Sequence, residues 1–194
     1  PEAWFIHRPG LKVVAPSTPW DAKGLLKAAI RDDNPVVYFE HKYLYRRAKG
    51  PVPEGDEIVP IGIAAVRRSG SDATLVTYGA MVQPSLEAAD RLAKEGVETE
   101  VIDLRSLLPY DKAAIFASVD KTSRLLIVHE DVKTLGIGSE IAAIAVEEKF
   151  DALDAPVRRV TYPDTHPPFS HVLEAANLPD VEKITEALRK LAAY

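Results

Sequence analysis

The chain has 194 residues, 46% of them hydrophobic and 27% charged, with a formal net charge of −5; this suits one ordinary domain, or one domain plus part of another, with a sizeable core. No basic run exceeds the pairs Arg46–Arg47, Arg67–Arg68 and Arg158–Arg159, which with the acidic balance argues against a nucleic-acid binder. Cys is absent, excluding disulfides, thiolate metal sites and a Cys nucleophile, and no apolar stretch approaches the ~20 residues that a membrane span requires.

Leu11–Ala15 reads as a strand closed by Pro16. Ser17 or Thr18 can cap a helix that has Pro19 in its first turn, where a missing N–H costs nothing, and Asp21 near its positive end. Ala22, Leu25, Leu26, Ala29 and Ile30 follow helical spacing and predict one buried stripe. After the turn at Asp32 and Asn34, the run VVYFE predicts a strand covered on both faces.

From Tyr43 to Pro60 the texture changes. RRAKGPVPEGDEIVP holds three prolines and two glycines without periodicity, the composition of a linker. The expected organisation is therefore a first unit over 1–45, a linker over 46–60 and a second unit over 61–194.

The second unit alternates strand and helix. Ile63–Arg67 is an edge-strand candidate, and Ala73–Tyr78 a central strand ended by Gly79. Val82, Leu86, Ala89 and Ala93 mark a helix that Gly96 can end in a left-handed conformation. Glu98–Asp103 (ETEVID) is a strand, Asp111–Asp120 a short helix, and Arg124–Val128 a buried strand. Ile137, Ile141, Ile144 and Ala145 mark another helix. Val157–Thr161 is the last strand, and a final helix from about Asp180 turns Val181, Ile184, Leu188 and Leu191 inward. This order predicts an α/β three-layer sandwich with a mostly parallel sheet.

LKVVAPSTPWDAKGLLKAAIRDDNPVVYFEHKYLYR, EVIDLRSLLPYD, RLLIVHED and GIGSEIAA closely resemble the beta subunit of the thiamine-diphosphate-dependent first component of 2-oxo acid dehydrogenase complexes, of the pyruvate, branched-chain and acetoin types. The resemblance covers essentially the whole chain. It implies a transketolase C-terminal domain preceded by the end of a pyrimidine-binding domain. In that family LKVV lies well inside the subunit, so the chain, which starts at Pro1, is expected to be a C-terminal fragment.

Taken alone, Asp32 and Asn34 are ordinary turn formers. They also stand just beyond the last carbonyls of a helix, where oxygens gather and the dipole is negative, a setting that suits a hard cation. The resemblance implies a potassium ion held by the carbonyls of Ala29 and Ile30 with Asp32 and Asn34, one further ligand lying outside this sequence.

Among the histidines, no HxH or HExxH spacing occurs, which argues against zinc. His129 ends the strand RLLIV, where open α/β sheets place ligands; a polar or interface role competes there with a plain hydrogen-bonded loop histidine. His7 resembles a family position near the active site but is not the family's acid/base histidine. Gly136 and Gly138 hint at a phosphate loop, yet the dinucleotide fingerprint needs Gly or Ala where Ile141 stands; close packing of the helix start, against another subunit for instance, is the better reading. Ser69 and Ser71 lack the strand–elbow–helix setting of a nucleophile. The loop DTHPPFSH departs from the commoner DTP-type family pattern by an apparent two-residue insertion.

The resemblance implies a parent enzyme that decarboxylates a 2-oxo acid and passes the acyl unit to lipoyllysine. Thiamine diphosphate and magnesium belong to that parent assembly, an α2β2 of alpha subunits and a second beta subunit, and not to this chain alone. The Tyr194 carboxylate, with Glu182 and Glu186, is a candidate dock for the dihydrolipoyl acyltransferase core; a solvated chain end is the alternative. The family's acid/base histidine and activating glutamate are missing, so no catalytic or cofactor-binding residue is expected here and the chain is expected to be inactive alone. Transketolase, deoxyxylulose-phosphate synthase and a non-enzymatic assembly module are the rival readings. The expected setting is cytoplasmic, or the mitochondrial matrix in a eukaryote.

Overall fold

A computed structural model describes residues 1–194. A five-stranded sheet forms the centre, built from β3 (Ala65–Arg68), β4 (Ala73–Thr77), β5 (Thr99–Asp103), β7 (Leu125–Val132) and β8 (Arg158–Tyr162). Its spatial order is β3-β5-β4-β7-β8, and only β3 runs antiparallel. α3 (Val82–Ala93) and α7 (Val181–Ala192) cover one face; α4 (Lys112–Thr122) and α5 (Ile137–Lys149) cover the other.

Strand alternation explains the two cores. Leu75, Val101, Leu126 and Val128 point toward Ala88, Leu92, Ile184, Leu188 and Leu191. Val76, Ile102, Leu125 and Ile127 point toward Ile115, Val119, Ile137 and Ile141. Because neither face is open to water, β4 and β5 are buried throughout. Helix starts follow local chemistry: Asp111 accepts from the Ala114 N–H, and Asp180 from the Lys183 N–H. Gly96 takes φ +86° after α3.

A three-stranded sheet carries the first segment. β1 (Lys12–Val14) pairs in parallel with β2 (Val36–Tyr38) and antiparallel with β6 (Ser106–Leu108). Two elements depart from the burial that their residue patterns predict. β2 is only half-buried, because it lies at this sheet's edge with nothing beyond it in the chain. In α2 (Pro19–Arg31), Leu26 and Ile30 are exposed, whereas Asp21, Gly24 and Leu25 are buried. The rows pressed against the sheet and residues 53–59 are those of Gly24 and Leu25, rotated away from Ile30.

Residues 53–59 lie along α2. The Lys23 ammonium donates to the Pro53 carbonyl, Lys27 to the Gly55 carbonyl at 3.0 Å and to Asp56, and Arg31 to Asp56 at 2.9 Å. Val59 packs so closely that a Cβ on Gly24 would lie 2.5 Å from Val59 Cγ2. Two short helices were not legible in the residue pattern, α1 (Glu2–Ile6) and α6 (His171–Asn177). Neither buries a residue, so neither carries an apolar stripe that periodicity could detect.

Candidate functional site

A groove of about 960 Å³ runs between the first segment and the carboxyl ends of β4 and β7. β4 leads through α3 to β5 on one side, and β7 through α5 to β8 on the other. Strands that send their connections in opposite directions leave a crevice at their carboxyl ends. One wall is the short 3-10 helix Lys42–Arg46 with Arg47 to Lys49; the opposite wall is Gly79 to Gln83, leading into α3.

At the groove stands a buried charge network. Asp103 on β5 accepts from Arg67 Nε at 3.1 Å, Arg67 Nη2 at 2.8 Å and the Ser17 hydroxyl at 2.5 Å. The same guanidinium reaches Asp21, which also accepts from Arg105 Nη1 at 3.1 Å. Asp21 further accepts from the Thr18 hydroxyl at 2.5 Å while its own N–H donates back to Thr18. Asp21 is thus more than a charge at a helix N-terminus; it ties α2 to the large sheet. Burial pushes the Asp103 carboxyl above its usual range, against the opposing pull of Arg67. The third buried carboxylate, Glu100, is held by Lys121. With each of these carboxylates bound by a cation, none is placed as a free general base.

The helix end at Asp32 is held by local hydrogen bonds and one ion pair. Ala29 and Ile30 lie in the last turn of α2, and Asp32 is its C-cap. Asp32 Oδ1 accepts from the Asn34 N–H at 2.9 Å and Asn34 Nδ2 at 3.0 Å; Oδ2 accepts from Lys12 at 2.5 Å. Lys12, aided by Asn34, holds this carboxyl down at about 2. The corner fits a cation in part: its carbonyls end a helix, but the Lys12 ammonium already neutralises one carboxylate oxygen. No cluster of three or more His, Asp or Glu side chains is arranged to hold a metal.

The other three candidates fall in separate places. His7 is the exposed C-cap of α1. Tyr194, 60% exposed, follows α7, and its hydroxyl accepts from Arg158 at 3.4 Å. His129 is no loop residue. It sits inside β7, fully buried, with neither ring nitrogen hydrogen-bonded, and its ring stacks on Tyr78 at 6.3 Å between centroids. Burial lowers its pKa. Gly136 and Gly138 are glycine because of it: a Cβ on Gly138 would meet His129 Nε2 at 2.6 Å, and one on Gly136 would meet Cε1 at 2.8 Å. Their close packing is against this chain's own ring.

Sequence reasoning missed His41. Its Nε2 lies 2.9 Å from Glu130 Oε2, joining the end of the first segment to β7. Only the neighbouring acid in RLLIVHED hinted at it.

Residues 62–184 match the C-terminal domain of transketolase, and residues 1–48 match the transketolase pyrimidine-binding domain. The chain belongs to the transketolase family. Among curated relatives of this transketolase-family chain, the 2-oxoisovalerate dehydrogenase subunit beta of Bacillus subtilis (strain 168) is 48% identical, covering 100% of the chain and 59% of the relative. The mitochondrial pyruvate dehydrogenase E1 component subunit beta of Caenorhabditis elegans is 50% identical, covering 97% of the chain and 54% of the relative. The chain therefore spans between half and three-fifths of the length of these relatives. A solved structure described as split gene transketolase, an inactive beta4 tetramer, superposes with a TM-score of 0.81 at 25% identity, covering 98% of this chain and 60% of that one.

Proposed function

We propose that this transketolase-family chain is part of the beta subunit of a 2-oxo acid dehydrogenase first component, an enzyme that oxidatively decarboxylates a 2-oxo acid and transfers the acyl group to lipoyllysine. The observation that carries this reading is identity of 46 to 50% along nearly the whole chain with beta subunits of the pyruvate, 2-oxoisovalerate and acetoin enzymes. In this reading residues 1–45 finish a pyrimidine-binding domain, 46–60 connect it, and 61–194 form the domain that builds subunit contacts. The partners are an alpha subunit and a second beta subunit in an α2β2 assembly. The setting is the cytoplasm, or the mitochondrial matrix in a eukaryote.

Thiamine diphosphate supplies the carbanion stabilisation in such an enzyme when bound, and magnesium holds its diphosphate on the alpha side. This chain supplies no residue to either. Its own contribution is mechanical: the Arg67–Asp21–Asp103 network fixes the first segment against the large sheet. Ala29, Ile30, Asp32 and Asn34 are the proposed potassium ligands, and the resulting charge would brace the end of α2. At the other end, exposed Glu182, Glu186 and Tyr194 are proposed to dock a basic surface of the dihydrolipoyl acyltransferase core, the two glutamates by charge complementarity.

The test is size-exclusion chromatography of the chain with and without an alpha subunit of this enzyme class, with 2-oxo acid decarboxylation assayed alongside. A shared peak and no turnover by the chain alone are expected. Turnover by the chain alone, or no association with an alpha subunit, refutes the reading.

A further inference from the structure

The wall of the groove formed by Lys42–Lys49 is held in an unusual way. Lys42, Arg46, Arg47 and Lys49 make no ion pair within the chain; Arg47 instead stacks on Tyr43, 3.9 Å from the ring centroid. Two attachments fasten this turn to the large sheet. Leu44 packs on the core cluster that includes Ala80 and Met81. His41, at the turn's start, meets Glu130 across 89 residues of sequence. Both members of the pair are part-buried, with 37% and 28% of their side chains exposed, so the interaction is neither fully screened nor fully desolvated.

We propose that His41 and Glu130 form a pH-dependent latch that holds the Lys42–Arg46 turn against the carboxyl end of β7 and sets the width of the groove. With His41 protonated, the contact is an ion pair as well as a hydrogen bond; with His41 neutral, only a hydrogen bond to the Glu130 carboxylate remains, and it is weaker.

The charges around the imidazole set the sign. From β7 comes Glu130, the principal partner, and from α1 comes Glu2; both favour the protonated ring. Arg67 of β3 also lines the groove but is already taken by Asp21 and Asp103. Glu87 of α3 is taken by Arg91, and Asp180 caps α7. Glu174 of α6 lies on the groove without a strong partner. Partial burial of the ring opposes protonation; the turn's own Arg47 and Lys49 are exposed to solvent. The balance, led by the hydrogen bond to Glu130, raises the His41 pKa. The latch is therefore fully engaged below the unfolded value of about 6.5 and weakens as pH rises through the folded value.

The experiment is amide hydrogen exchange on the 194-residue chain, expressed as protection factors so that the intrinsic pH dependence of exchange is removed. The reporters are the N–H groups of Leu44, Arg47 and Ala48, which bond to His41 and Leu44 carbonyls within the turn. Between pH 5.5 and 8.5 their protection is expected to fall about three- to tenfold, while Val76 and Ile102 in the sheet keep theirs. Glu130→Gln is expected to show the low protection at both pH values and a lower His41 pKa by NMR titration. His41→Gln is expected to abolish the pH dependence. Protection of the turn that is constant with pH in the unsubstituted chain, or a pH-dependent fall that survives in both variants, overturns the proposal.

Discussion

Arg67, at the irregularity in β3, reaches Asp103 on the paired strand β5, guanidinium Nη2 2.8 Å from carboxylate Oδ2, with the Asp103 side chain wholly removed from solvent. Removing one partner strands a buried charge, and that penalty is larger than the net value of the pair. Arg67→Met is therefore expected to destabilise the chain by about 3 to 5 kcal/mol, because Asp21 loses a partner at the same time. Arg67→Lys is expected to restore only part of this, since one ammonium cannot reproduce the forked geometry. Urea denaturation of the three proteins checks both statements; a loss under ~1 kcal/mol in Arg67→Met contradicts the buried-charge account.

His129 and Gly138 make a second test. Gly138→Ala is expected to cost about 1 to 3 kcal/mol by overpacking against the imidazole. The double variant Gly138→Ala with His129→Ala should lose less than the two single losses summed, because the clash is gone. Equal additivity would show that the glycine has another purpose.

The same histidine has a pH signature. Burial lowers its folded pKa, so the unfolded chain binds the proton more readily. Its contribution to stability is fully present above about 6.5, the unfolded value, and declines as pH falls below that. Thermal melts from pH 7.5 to 5.5 should show this decline in the parent protein and a flatter profile in His129→Phe.

Asp32 titrates lower. Its folded pKa of about 2 is depressed by Lys12 and Asn34, so its stabilisation is present above about 4, the unfolded range, and lost as pH falls toward 2. Lys12→Met should flatten the acid limb of the stability profile between those values. An unchanged limb would mean that the pair does not persist in solution.

Under the proposed potassium site, KCl should raise the melting temperature of the full subunit more than equimolar NaCl does, and Asn34→Ala should remove the difference. Identical melts in both salts would remove the basis for that ion.

The hydroxyl cluster of Thr74, Ser118 and Thr122 is fully buried, with Thr74 Oγ1 2.6 Å from each partner oxygen. Thr74→Val leaves Ser118 short of a partner and should cost about 1 to 3 kcal/mol. Denaturant midpoints with an unchanged slope would attribute that loss to the folded state.

Much of the architecture could be read along the chain, because its causes are local. Thr18 and Asp180 cap through bonds closed within three residues, Gly96 marks a left-handed turn, and the inward row of α7 repeats every turn. Such signals need no knowledge of what lies across the molecule. Periodicity says which residues share a face, however, and not whether another element arrives to cover it; Leu26 and Ile30 share one and remain exposed. Pairing between distant residues is further out of reach. Nothing near Asp21 announces Arg67 and Arg105, nothing near His41 announces Glu130, and the reason for two glycines after β7 is a ring seven and nine residues earlier. Those relationships exist only after strand pairing and helix packing bring separate segments together, since a contact made through space leaves no spacing rule in the chain.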